Sequence, residues 1–208
     1  MKTSVLFIFI FLPLFLFSSE LHLAAEEGDL KHLKSVISAG ADINAKDEES
    51  KLTAIQTAAY NEHPNIIKYL IHIGADVNVK MHNGRTALHV ASFYADAKSV
   101  SFLLRADADH NVKGHLGMTA LHRAAEGGGV KVIQILISAG AEINVKSNDL
   151  STPLHIAAYM GNAEALKALL KEGADINAKN KQGKTPLQEA QEAQEEATIK
   201  ILQEAKQQ

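Results

Sequence analysis

Residues 119–146 read TALHRAAEGGGVKVIQILISAGAEINVK, and most of the chain consists of variations on this stretch. Its opening recurs as Thr53-Ala-Ile-Gln, Thr86-Ala-Leu-His, Thr119-Ala-Leu-His, Thr152-Pro-Leu-His and Thr185-Pro-Leu-Gln, each 33 residues after the last. Its end recurs as Gly40-Ala-Asp-Ile-Asn, Gly74-Ala-Asp-Val-Asn, Asp107-Ala-Asp-His-Asn, Gly140-Ala-Glu-Ile-Asn and Gly173-Ala-Asp-Ile-Asn, at intervals of 34, 33, 33 and 33. Ser19-Glu-Leu-His takes the corresponding place one copy upstream. Six units follow, starting at residues 19, 53, 86, 119, 152 and 185, the last of them cut short.

One unit is readable from its chemistry. The leading Thr is a helix N-cap, its oxygen satisfying a free backbone N–H. Pro153 and Pro186 follow directly, where a missing N–H does no harm. Leu and two Ala at fixed offsets, such as Leu121, Ala124 and Ala125, give the first helix a buried face that a neighbour can approach closely. The second helix carries apolar triplets at i, i+3 and i+4, such as Ile133, Leu136 and Ile137, which share one face. Gly40, Gly74, Gly140 and Gly173 end it, where a left-handed residue is wanted. The segment through the Asn to Gly84, Gly117 or Gly183 reads as a hairpin turn. Neither helix can bury its apolar stripe alone, so the units must stack.

This pattern resembles the ankyrin repeat, which has the same period and a T-P-L-H-x-A signature. The resemblance covers residues 19–208. It implies an all-α, ankyrin-repeat solenoid of about six helix-turn-helix units with short β-hairpin turns. It also implies that the unit histidines bond the Thr and the adjacent turn backbone, through Thr86 and His89, Thr119 and His122, and Thr152 and His155. Irregularity is expected in units two and three. One extra residue lies between Asp47 and Thr53, Glu62 and Ala95 replace the interhelical Gly, and Asp107 replaces the terminating Gly. In the last unit, Glu189, Glu192, Glu195 and Glu196 supply a polar end cap.

The first residues do not belong to the repeat. Lys2 precedes an apolar run from Val5 to Phe17, broken only by Pro13 and followed by Ser18-Ser19-Glu20. A basic start, a short apolar run and small residues form a secretory signal pattern, expected over residues 1–18. The run is shorter than the roughly 20 residues of a spanning helix. If it is retained, residues 5–17 become a membrane anchor. The chain has no Cys and no N-x-Ser/Thr acceptor, which leans toward a bacterial protein, periplasmic or secreted. Export and a monomeric state are the expectations.

With 21 basic and 24 acidic residues of 208, the net charge of −3 lacks the basic excess of a nucleic-acid binder. Ten His invite a metal reading, but the unit histidines sit one per repeat. Helices pack about 8–10 Å apart, too far for neighbouring rings to share a zinc at about 2 Å from each. No nucleophile elbow, zinc-protease or phosphate-loop motif occurs, and Gly127-Gly128-Gly129 lacks the Lys-Ser/Thr that a phosphate loop needs. No cofactor, no metal and no catalysis are expected. Lysines two after each unit's Asn and acids two before it read as offsetting ladders on solvated turns.

The aromatic residues stand out. Tyr60, Phe93, Tyr94 and Tyr159, with Met160, cluster at the end of the first helix. The resemblance implies that this helix and the hairpins line a concave groove where another protein docks. Tyr and Met are enriched in interface cores. His82, Arg85, His115 and Met118 are expected to flank the groove from the hairpins. The function expected is a non-enzymatic protein–protein interaction scaffold. Its alternatives are a regulatory or targeting subunit of an enzyme and a secreted bacterial effector acting on a host protein.

Overall fold

The computed structural model describes residues 19–207. The signal segment expected over 1–18 lies outside them. The helices come in pairs, the first shorter than the second from unit two onward: α1 (19–27) and α2 (Leu30–Ser38), α3 (Ala54–Tyr60) and α4 (Pro64–His72), α5 (Ala87–Phe93) and α6 (Ala97–Arg105). The series continues with α7 (Ala120–Glu126) and α8 (Val130–Ser138), α9 (Pro153–Tyr159) and α10 (Ala163–Lys171), and α11 (Pro186–Glu192) and α12 (Glu196–Ala205).

Helices of seven residues are too short to persist alone in water. Their ends and their burial hold them. Thr119 is extended, at φ −92° and ψ 174°, and starts α7. Its N–H donates to Nδ1 of His122 at 3.2 Å, so the fourth residue reaches back to close the cap. Leu121, Ala124 and Ala125 of α7 are buried, and so are Ile133 and Leu136 of α8. The equivalent residues of the other described units join them in one continuous apolar core. From unit three onward, successive first helices meet over more of their length than successive second helices. The small Ala face permits this close approach.

Between the helices of each unit one residue takes left-handed backbone, with φ of 72° at Gly28, 73° at Gly128 and 68° at Gly161. Glu62, Ala95 and Gln194 do the same at 55°, 57° and 60°. The bond that follows is also retained, from His63 N–H to Ala58 O at 2.9 Å and from Asp96 N–H to Ala91 O at 3.0 Å. Asp107 takes the terminating place at φ 59°. Units two and three therefore keep the common path, with helices as long as those of their neighbours, where irregularity was expected. Left-handed backbone at a non-glycine residue costs about 1–2 kcal/mol, and stacking on both sides supplies it. The turn after Asp47 does differ, because its closing bond runs to Leu52 and spans one residue more than Met81 N–H to Arg85 O.

The hairpins are turns closed by single backbone bonds, and the bridge between Lys46 and Thr53 is isolated. They are stitched to one another. Oδ1 of Asn44, Asn78 and Asn144 accepts the backbone N–H of Asp76, Asp109 and Asp175 in the next unit, each at 2.9 Å. Each of those aspartates in turn, with Asp42, bends its own turn; Asp76 accepts from Asn78 N–H at 2.8 Å. Lys113 Nζ reaches Lys146 O at 2.9 Å. The ladders read as solvated turn charges are in part joints between units.

Candidate protein-binding face

The first helices bring their fourth and seventh residues after the Thr to the open side. Thr57 and Tyr60, Val90 and Phe93, and Ile156 and Tyr159 line hollows between neighbouring units. A broad hollow of about 560 Å³ lies at the N-terminal end, rimmed by Leu23, Glu26, Asp47, Glu49 and Tyr60. One of about 210 Å³ lies near the C-terminal end, between Asp149, Ile156, Tyr159 and Glu189. A small one of about 80 Å³ lies between them, among Tyr60, Arg85, Phe93, Tyr94 and Arg123.

Three of the aromatic residues form one group. The rings of Tyr60 and Tyr94 stand edge-on at 6.4 Å, and those of Phe93 and Tyr94 at 5.2 Å. The Arg123 guanidinium covers the Phe93 ring at 4.8 Å. Tyr60 is half-buried against the core and Phe93 is half-buried, whereas Tyr94 is 40% exposed. Tyr159 and Met160 stand apart, 51% and 45% exposed. His82 and His115 are exposed at the hairpins and Arg85 is half-buried. Met118, expected at the groove, is buried instead. What it contributes there is its carbonyl, which accepts from His89 Nε2 at 3.1 Å.

The histidines tie the start of each unit to the turn that closes it. Nδ1 of His89, His122 and His155 accepts the Thr N–H of its own unit at 3.2 Å. Nε2 donates onward, to Met118 O, Ser151 O and Lys184 O, at 3.0–3.1 Å. Burial pushes His89 and His122 down to about 4 and lowers His155. The rings are therefore neutral at pH 7, one nitrogen accepting and the other donating. No group of three or more His, Asp or Glu among the described residues could hold a metal ion. No helix among them is long and apolar enough to cross a membrane.

Sequence reasoning missed Arg123. Its signal was present: the fourth place after the Thr changes freely, from Leu23 and Thr57 to Val90, Arg123, Ile156 and Glu189. It also missed Leu116 and Leu150, 60% and 42% exposed at the hairpins. Both take left-handed backbone, at φ 58° and 63°. Leu150 stands where three other turns have Gly84, Gly117 and Gly183 and the turn after Asp47 has Lys51, which is left-handed too at φ 58°. A bulky, exposed residue at a strained position points to use of the side chain. Leu150→Gly is expected to gain about 0.5–1 kcal/mol, the strain released less the flexibility added to the unfolded chain. Urea unfolding checks this, and a loss of stability would show that the side chain serves the fold.

A model of three consecutive ankyrin repeats matches residues 21–114 and again residues 121–208. The palmitoyltransferase AKR1 of Eremothecium gossypii is 44% identical over 61 residues, which is 28% of this chain and 8% of the relative. The ankyrin repeat and SAM domain-containing protein 6 of Rattus norvegicus is 37% identical over 70 residues, 34% of this chain and 8% of the relative. The human NAD-capped RNA hydrolase NUDT12 is 32% identical over 70 residues, 34% of this chain and 15% of the relative. The matches thus span a small part of these relatives, and two of those relatives are enzymes by name. With the repeat matched twice and the stacked helix pairs in place, the chain belongs to the ankyrin repeat family, a protein–protein interaction fold.

Proposed function

We propose that this chain is a non-enzymatic scaffold that holds another protein against the open side of its first helices and hairpins. The observation that carries this is the row of exposed apolar side chains there: Tyr94, Leu116, Leu150, Tyr159 and Met160. Isolated exposed apolar residues are ordinary. Large ones confined to one side and flanking aromatic-lined hollows mark an interface. Export to the periplasm or beyond fits the apolar run from Val5 to Phe17.

The purified chain, used as bait in extract from its native compartment, tests the reading. Variants Tyr94→Ala and Tyr159→Ala, singly and together, are compared with Gln134→Ala, an exposed change on α8. Proteins identified by mass spectrometry are expected on the wild type and on Gln134→Ala. Tyr94→Ala with Tyr159→Ala is expected to lose them by tenfold or more, about 1.4 kcal/mol, with melting unchanged. Equal recovery on all baits would move the interface elsewhere. A role toward an enzyme differs only in the partner, and an activity that copurifies would mark it.

A further inference from the structure

The small central hollow is lined by two guanidinium groups and no carboxylate. Arg123 is only 8% exposed and pairs through one terminal nitrogen with Glu126, while its Nε is buried without an acceptor among the described residues. Nε of Arg85 is buried without an acceptor as well. The Arg85 side chain makes no hydrogen bond or ion pair among the described residues. A guanidinium presents a planar fork suited to carboxylates, and leaving it half-buried and unpaired works against folding. We infer that this hollow receives one aspartate or glutamate side chain of the partner, held by the Arg85 guanidinium with the charge of Arg123 beside it, with a neighbouring apolar side chain against Tyr60 and Tyr94.

Charge decides the class of ligand. Arg85 and Arg123 against Glu126 leave one positive charge, and His89 beside them is neutral because burial holds it at about 4. One carboxylate balances the site, whereas a phosphate dianion would overfill it. Burial, and then Arg85 alongside, lowers Arg123 from the usual arginine range against the pull of Glu126. An added anion relieves that strain. The acids on either side set the register: Glu26, Asp47 and Glu49 rim the N-terminal hollow, and Asp149 and Glu189 the C-terminal one. A carboxylate on an extended segment is repelled from both and accepted between them.

The inference rests on the binding-face reading, and its test separates the two. A random dodecapeptide library, displayed with fused C-termini so that only side-chain carboxylates score, is selected on the full chain. The expected consensus carries one Asp or Glu beside an aromatic or aliphatic residue. A synthetic consensus peptide is then expected to weaken about tenfold when its acid becomes the amide. Arg85→Met is expected to bind acid and amide peptides alike, which isolates the pair, and to melt no lower than the wild type. A consensus with no acid, no selected peptide, an Arg85→Met variant that still prefers the acid, or one that melts lower would each overturn the carboxylate site. Peptides selected without an acid, but lost on Tyr94→Ala, would leave the binding face standing. Capture unaffected by Tyr94→Ala with Tyr159→Ala would remove that face.

Discussion

Acidification from about pH 7.5 to about pH 4.5 is expected to strip several kcal/mol of folding stability from this protein. Burial places His89 and His122 at about 4 in the folded chain, against 6.5 when exposed. Between those values the unfolded chain takes up protons that the folded chain refuses. Stability is therefore complete above pH 6.5 and drains away as the pH falls toward 4. The difference corresponds to about 3 kcal/mol per ring at full extent, and His155, lowered in the same direction, adds to it. Urea midpoints measured across this range give the slope.

Glutamine supplies the control, because the chain already uses it. Gln56 accepts the Thr53 N–H at 2.9 Å as the ring does, and donates to Val79 O at 2.8 Å, a carbonyl earlier in the hairpin than the one the ring takes, so it closes the cap and holds the hairpin without a titrating group. His122→Gln is therefore expected to stay within about 1 kcal/mol of the wild type at pH 7.5 and to unfold along a shallower pH curve. His122→Ala is expected to lose about 2–3 kcal/mol at pH 7.5, since Thr119 N–H and Ser151 O both lose a buried partner. If His122→Gln keeps the wild-type slope, acid sensitivity arises elsewhere.

Gly127→Ala is expected to cost about 3 kcal/mol and to lower thermal melting by roughly 6–12 °C. Its backbone is ordinary, at φ −82°. The reason is space: a methyl group there would overlap the Phe93 carbonyl oxygen and come within 2.8 Å of its carbon. Both partners are backbone, so unit four can admit the methyl only by moving off unit three. Gly128→Ala next door is the contrast. Its left-handed φ of 73° is one that Ala95 already adopts at 57°, and the nearest atom, Asn162 Oδ1, lies at 3.3 Å. It should cost about 1 kcal/mol. Equal losses at the two positions would show that the units are not in close contact there. The triple glycine, unsuited to hold phosphate, serves close packing and a left-handed turn.

The architecture was legible because it is written five or six times over. Spacing located the helices, the Thr cap located their starts, and the resemblance placed the histidine hydrogen bonds. What varies between units was harder to read. Arg123 occupies a place with no consensus, so periodicity says nothing of it, and its role comes from Phe93 below and Glu126 one turn on. Met118 precedes a Thr as Arg85 does, yet it is buried and Arg85 half-exposed. The common demand at that place falls on the carbonyl, which leaves the side chain free to differ. Leu150 breaks a local rule of turn chemistry, and such breaks are where an external demand on a sequence shows.

The forward-pointing rings give the array a polarity. Each imidazole spans its own copy, from the Thr that opens it to the carbonyl that closes it, as from His89 to Met118 O and from His122 to Ser151 O. A whole copy inserted in frame carries giver and taker together, so lengthening by duplication leaves no imidazole bond open. Removing a whole copy takes both away, whereas a cut inside a copy, ahead of its closing carbonyl, strands the imidazole N–H. Gain and loss in whole copies are thereby equivalent events for such a gene, and breaks within a copy are the costly ones.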